Sequence, residues 1–344
     1  MKATLRIILL ALLALLLVAA AIAGGGWWWL MKRPVPMPAQ TIDYMVESGM
    51  GPRKIAQQMA QAGIDVHEDS FVLLARYTEA DKRLQAGAYQ AQEGDTLWAL
   101  LQRMVEGNML QTRITIVEGW TFAQMLERIS QHPQVKHTLN AANKTANPTD
   151  DVAASVIEQL DIEASHPEGL FHPDTYVFVP GTTDLELLKR AYQTQLDLLE
   201  ELWPERAKDL PIESPYEALI LASIVEKETG RAADRERIAG VFMNRLKANM
   251  LLQTDPTVIY GMGERYQGRI RKSDLTTDTP WNTYTRAGLP PTPIALPSKA
   301  SILAVLHPEE HGYYYFVARG DGSSEFSKNL NQHNRAVAKY ILKR

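Results

Sequence analysis

The chain has 344 residues, a formal net charge of −4 and no cysteine. That length leaves room for two domains with cores of ordinary size. The missing cysteines exclude disulfides, thiol catalysis and cysteine-ligated metals, and a slightly acidic balance with no Lys/Arg block argues against nucleic acid as the main partner.

Residues 7–30 are uncharged and mostly Leu, Ala and Ile, enough to cross a hydrocarbon core of ~30 Å. Trp27, Trp28 and Trp29 fall where an interfacial aromatic belt belongs, followed by Lys32 and Arg33. Ala21, Ile22 and Ala23 would also suit the cleavage site of a signal peptide. The retained anchor is favoured because the apolar run continues past that site into the tryptophans. Lys2 and Arg6 balance Lys32 and Arg33, so the basic-residue rule barely sets the orientation. Either reading exports the body of the protein.

Residues 34–38 are proline-rich and predict a stiff spacer that joins neither neighbour. A strand is expected over 41–47, a helix over 52–62 and a second amphipathic segment over 68–77. Residues 84–92 lead through Gly94, Asp95 and Thr96 to a helix over 97–105, with Asp95 expected to accept from its first free amides. This stretch resembles a LysM module, the small glycan-binding fold of cell-wall proteins, although a strand, a Gly-Asp-Thr cap and a helix also occur together elsewhere. Residues 111–117 alternate as a strand, Gly119 marks a turn, and a helix begins near Thr121. The polar run 141–151 reads as a surface excursion. A long helix with period-3.6 leucines covers 185–202, and a further helix covers 235–246. The loop-rich tail holds one strand, 313–318, and a last helix, 334–342. No internal repeat is visible.

The most informative stretch lies between the helices expected at 185–202 and 235–246. From Ala218 to Val225 only Ser223 is polar, and the run passes directly into Glu226, Lys227 and Glu228 before Gly230 supplies a stop. It reads as a buried helix that delivers a carboxylate to the edge of the core. A carboxyl held against apolar side chains resists ionisation and can serve as a general acid near neutral pH. The plainer reading is a core helix ending in solvated charges. At ~100° per residue, Glu226 and Glu228 point to nearly opposite sides. Glu228 lies above Leu221, Ile224 and Val225, whereas Glu226 lies above Leu219, Ala222 and Ser223. Desolvation therefore favours Glu228 as the acid, with Glu226 a structural or orienting partner and Lys227 a solvated charge.

Downstream, residues 250–261, 281–284 and 288–294 place amide, hydroxyl and aromatic groups on Pro/Gly turns, a combination that suits carbohydrate. Singly, each also fits ordinary turn chemistry, with Asp255-Pro256 opening a helix. His307 and His311 formally match the H-x-x-E-H zinc-protease pattern. Pro308 inside it and Gly312 after it deny the helical turns such a site requires, so a turn without metal is expected.

Taken together, Glu-Lys-Glu-Thr, VFMNRL, LLQTDPTVIYGMGERY, NTYTRAGLPPTPI, FSKNLNQHN and the upstream EGLFHPDTYVF resemble the endolytic murein transglycosylases, the YceG-like or MltG family. The resemblance runs from the anchor to the last helix. It implies a peptidoglycan lyase, with Glu228, the second Glu of the Glu-Lys-Glu-Thr motif, as catalytic residue. It further implies that the substrate's C6 hydroxyl attacks C1 of N-acetylmuramic acid, giving a 1,6-anhydro end within nascent strands and terminating their elongation. Gln253, Asp255, Tyr260, Asn282 and Tyr284 are candidates for the pocket wall. His333, which the family shares, is expected to be a loop histidine capping the last helix.

The resulting expectation is an α+β protein: a cytoplasmic tip and transmembrane anchor over 1–33, a linker over 34–40, a LysM-like subdomain over 41–112, and a mostly helical catalytic domain with short strands over 113–344. No cofactor or metal is expected. Expected partners are peptidoglycan glycan strands, the inner membrane and cell-wall synthases such as penicillin-binding proteins, with the body in the periplasm. Two other readings are a non-enzymatic glycan-binding scaffold for those synthases and a hydrolytic muramidase.

Overall fold

The computed structural model describes residues 2–139 and 148–343. The chain folds as two units, one running up to Thr112 and including Val177–Gly181, the other comprising Arg113–Tyr176 and the chain from Thr182 onward. Helix α1 (Lys2–Lys32) is unbroken, and its segment Arg6–Trp29, of mean hydropathy 3.0, is long and apolar enough to cross a membrane. In its last turns Trp27 and Met31 pack on the core of the first unit, and Trp27 lies 4.5 Å from Tyr77, ring centre to ring centre. Of the three tryptophans, only Trp28 and Trp29 keep the exposure that an interfacial belt requires.

The first unit continues through β1 (Thr41–Val46), α2 (Pro52–Gln61), α3 (Glu68–Tyr77), β2 (Gly87–Gln92) and α4 (Leu97–Val105). The two strands pair antiparallel, from Thr41 opposite Gln92 to Val46 opposite Gly87, with α2 and α3 between them in sequence. Tyr44 and Val46 alternate inward and meet Ile55, Met59, Phe71, Leu74, Leu100 and Met104 in one core. Two local expectations are corrected. Residues 34–38 are not a free spacer: Val35 is buried in this core and donates its N–H to the Asp95 carbonyl at 2.7 Å, while Asp65 N–H donates to the Pro36 carbonyl at 3.0 Å. Nor does Asp95 cap α4. Thr96 does so, accepting from Ala99 N–H at 3.1 Å, because the Asp95 carboxylate is committed to Arg103 through two bonds of 2.7 and 3.0 Å.

The chain then forms β3 (Thr112–Thr115), α5 (Phe122–Ser130), α6 (Pro148–Gln159), β4 (Thr175–Phe178), α7 (Asp184–Leu202), α8 (Pro215–Glu228), α9 (Ala232–Lys247), α10 (Asp255–Met262), α11 (Lys272–Thr276), α12 (Lys299–Leu306), β5 (Tyr315–Ala318), β6 (Ser324–Ser327) and α13 (Leu330–Tyr340). Strand β3 pairs with β4, and β5 pairs antiparallel with β6. Thr121 with Gln124 and Thr183 with Glu186 form reciprocal capping boxes at α5 and α7. The polar run expected as a surface excursion enters α6 from Pro148 onward, and its earlier part, 141–147, lies outside the described residues. Helix α13 starts four residues before its expected onset, at the Asn329 cap.

Helix α8 is the axis of the second unit. Ser214 caps it, accepting from Glu217 N–H, and Pro215 occupies its first turn. Every residue from Ala218 to Val225 is buried, with α9, α10 and α12 packed around the helix. Ser223, its one polar core residue, is satisfied twice: its hydroxyl donates to the Ile220 carbonyl and accepts from Ile294 N–H. The helix ends at Glu228 because Thr229 turns extended, with φ −149° and ψ 131°, one residue before the glycine expected to stop it.

Candidate active site

The two glutamates at the end of α8 meet different surroundings. Glu226 Oε2 accepts from Ser298 N–H at 3.0 Å, from the Ser298 hydroxyl and from the Ser301 hydroxyl at 2.7 Å, which ties α8 to the start of α12. Lys227 is exposed and donates to the Gly119 carbonyl at 3.0 Å. Glu228 faces a cleft of about 360 Å³ lined by Phe242, Arg245, Leu252, Gln253, Asp255, Tyr284, Tyr315, Phe316, Leu330 and His333.

Burial pushes the Glu228 carboxyl up to about 7, opposed by the Thr254 hydroxyl, which donates to Oε1, reinforced by the charge of Asp255 and opposed again by that of Arg245. Thr254 cannot drift. It is buried, its N–H donates to the Thr283 hydroxyl at 3.1 Å, and its carbonyl accepts from the Thr257 hydroxyl at 2.7 Å. The carboxyl is therefore held in one orientation and is divided between its two protonation states at neutral pH.

Opposite it, Arg245 organises the floor. Its guanidinium donates to the carbonyls of Leu251 at 3.0 Å, Leu252 at 2.9 Å and Tyr314 at 2.7 Å. These bonds fix the turn on which Gln253 sits with φ +50°, and Arg245 also reaches Gln253 Oε1 at 3.4 Å. The same guanidinium lies over the Tyr315 ring at 5.0 Å, and the His333 ring stacks on Tyr315 at 5.2 Å. Burial and the Arg245 charge push the His333 pKa down. Its Nδ1 is buried without a hydrogen-bond partner among the described residues. His333 lies inside α13 and on the cleft wall, not in a loop before the helix.

Of the five residues expected in the pocket wall, Gln253, Asp255 and Tyr284 line the cleft with Glu228, and the Tyr284 hydroxyl donates to Asp255 at 2.6 Å. Tyr260 and Asn282 do not line it. Tyr260 donates to Glu168 at 3.1 Å. Asn282 is buried, donating to the carbonyls of Asp274, Leu275 and Thr277 and accepting from Tyr284 N–H, so it braces the loop that presents Tyr284. The residues that sequence reasoning passed over are Thr254, Arg245 and Tyr315, together with the cleft position of His333. The signals of Thr254, Arg245 and His333 were present in the motifs LLQTDPTV, VFMNRL and FSKNLNQHN, whereas Tyr315 falls in none of them, and nothing in one sequence brings these segments together.

The H-x-x-E-H segment follows the end of α12 at Leu306 and is not helical. Glu309 pairs with Arg237 at 2.9 Å, and His311 Nε2 lies 2.8 Å from the Arg237 carbonyl, so both side chains are engaged with α9.

Residues 44–339 match the YceG-like family. The chain is 33% identical over 311 residues to the endolytic murein transglycosylase of Bacillus subtilis strain 168, covering 88% of this chain and 85% of that protein. It is 28% identical to the endolytic murein transglycosylase of Streptococcus pneumoniae strain D39, over 89% of this chain and 60% of that longer protein. The crystal structure of a YceG-like protein from Listeria monocytogenes superposes with a TM-score of 0.52 at 29% identity, covering 86% of this chain and 98% of that one.

Proposed function

The chain belongs to the YceG-like family, and from that premise we propose that it cleaves peptidoglycan as an endolytic lytic transglycosylase with Glu228 as its single acid and base. The observation that carries this reading is geometric: the half-buried Glu228 side chain at the end of α8 lines a cleft and its carboxyl is oriented by Thr254, in surroundings that push its pKa up. In the first half-reaction Glu228 gives its proton to the glycosidic oxygen as the bond from C1 of N-acetylmuramic acid breaks. In the second, the C6 hydroxyl oxygen of the same sugar bonds to C1 and its proton passes to Glu228. The acid is regenerated and no water is consumed. Glycosidases that use water require a second carboxylate as base or nucleophile. Asp255 is the cleft's other carboxylate, and its bond from Tyr284 and the amide character of neighbouring Gln253 favour a binding role.

The apolar helix α1 supports anchoring in the inner membrane with the body in the periplasm. The strand–helix–helix–strand order of the first unit supports a LysM-like, glycan-contacting role. Membrane-bound synthases producing nascent strands are the partners this reading expects.

The test is Glu228→Gln, which keeps size and removes the proton cycle. Cleavage of uncrosslinked glycan should fall by ~10²–10⁴-fold, the usual contribution of general acid–base catalysis, while Glu226→Gln should be milder. Product masses should show 1,6-anhydro ends, one water lighter than hydrolysis products. Free reducing ends would mean that water attacks and that Asp255 must act as base. A fully active Glu228→Gln protein would end the assignment.

A further inference from the structure

A second and larger cavity, about 710 Å³, lies along α10 within the same unit, and nothing in the proposed chemistry uses it. Arg265, Arg269 and Arg271 line it. All three are exposed, and among the described residues none forms a salt bridge. The one carboxylate in the lining is Asp274, which is engaged in accepting from Arg271 N–H at 2.6 Å. Nearby Asp278 is already paired with Arg286 at 2.8 Å. With three guanidinium groups against the single carboxylate of Asp274, and Glu264 exposed beside Arg265, the lining stays net positive in a chain whose overall charge is negative. Its wall also holds Thr279, whose buried hydroxyl has no hydrogen-bond partner among the described residues. Four cations fall within residues 265–272, but tyrosine, glutamine, glycine and isoleucine separate them, so they do not read as a basic block in the sequence.

Helix α10 connects this groove to the acid. Asp255, Val258 and Met262 are spaced three and four residues apart and share one helix face. Asp255 lines the cleft of Glu228, while Val258 and Met262 line the basic groove. Seven residues at ~1.5 Å each separate the two ends by about 10 Å. The sugars of a murein strand are uncharged, but each muramyl lactyl group carries a short peptide bearing free carboxylates. An extended peptide of three to five residues reaches ~10–18 Å, enough to span that separation. Guanidinium groups match carboxylates in a two-pronged geometry. A strand's lipid pyrophosphate is also anionic, yet it occurs once, at one end, at a distance that varies with each internal cut. The peptide arm accompanies every muramyl residue.

We infer that the Arg265–Arg269–Arg271 groove is a subsite for the carboxylates of the peptide arm on a muramyl residue beside the bond being cleaved. This rests on the glycan-cleaving reading of Glu228. Arg269→Gln with Arg271→Gln, both exposed positions, should leave the fold intact. The full-length double variant and the wild type would be compared on three lipid-free glycans: peptide-bearing, stripped of peptides, and peptide-bearing with carboxyls amidated. The variant should lose roughly tenfold in kcat/KM on native peptide-bearing strands, mostly through KM, as expected for two partly solvated ion pairs. On stripped and amidated strands the two proteins should match, and added salt should shrink the wild type's preference for native strands. Equal rates on native strands would overturn the subsite, as would an equal loss on stripped strands or unchanged wild-type cleavage of amidated ones. Lipid-linked strands serve as a fourth substrate, and a loss seen only with them would assign the groove to pyrophosphate instead. If the wild type cleaves none of the three, it is the assignment of Glu228 chemistry that fails.

Discussion

At Glu228, one physical cause acts on both rate and stability. Burial raises its pKa to about 7, against 4.5 for a free glutamate. Glu168, fully buried beneath Tyr260 and accepting from Phe122 N–H at 2.9 Å, is lifted to about 7 by the same cause. Each group holds its proton in the fold over a range in which the unfolded chain releases it. Folding stability should therefore be greatest below about pH 4.5 as far as these two are concerned, fall as pH rises toward 7, and level off above that. For Glu228 the full loss is on the order of 3 kcal/mol at most. Glu228→Gln should remove its own share of that fall, leaving that of Glu168, and above pH 7 be at least as stable as the wild type while inactive; thermal unfolding across pH would show it. Activity requires the protonated form at the first step, so the wild-type rate should decline as pH rises through about 7. Thr254→Val removes a bond that favours the carboxylate and should move that limb to higher pH. Asp255→Asn removes a charge that disfavours it and should move the limb lower. Shifts in the same direction would contradict the electrostatic account.

At the scale of elements, sequence pattern revealed most helices and few of the contacts between them. The phase argument at the end of α8 separated Glu226 from Glu228, because a helix sends residues two apart to opposite sides, and Glu226 is indeed tied to Ser298 and Ser301. Strand β6 was missed because Ser324–Ser327 is short and polar, and pairs only through its partner β5. The onset of α13 was missed because its first turn is polar and Asn329 caps it from outside. The role of residues 307–314 was equally illegible, since it depends on Gly240 in the middle of α9. A Cβ built there would stand 2.4 Å from the Glu309 carbonyl oxygen and 2.7 Å from His311 Nε2. Asn244 completes the docking by donating to the carbonyls of His311 at 2.8 Å and Tyr313 at 2.9 Å. Gly→Ala in an unobstructed helix usually stabilises by ~1 kcal/mol. Here Gly240→Ala should destabilise by about 1–3 kcal/mol, because the clash displaces a backbone segment. The sign of the change in unfolding midpoint decides between the two, and a stabilised variant would mean that the segment does not seat on α9.

Across the whole chain, the motif order led to the family before any contact was known, whereas the walls of the cleft were legible only in part. Asp255, Gln253 and Tyr284 could be proposed because polar groups on rigid turns suit a glycan. Arg245 and Tyr315 could not, because they face the acid only after α9, β5 and α13 have packed. The N-terminal helix poses the remaining question at this scale. A predominantly apolar span of 24 residues, Arg6–Trp29, satisfies both an anchor and a signal sequence. What separates them is the chain after Ala23. Helix α1 continues without a break through Trp27 and Met31, and both side chains pack on the core of the first unit, with Trp27 against Tyr77. A cut after Ala23 would strip the apolar helix from a segment, residues 24–32, that the folded unit already uses. Retention is therefore expected: the full-length chain should stay with membranes through an alkaline carbonate wash, with an intact N-terminus on sequencing. Trp27→Ala should lower the stability of the first unit without releasing the protein, since the span itself is untouched. A mature protein that begins at Gly24 and fractionates with soluble periplasmic proteins would show instead that α1 only directs export.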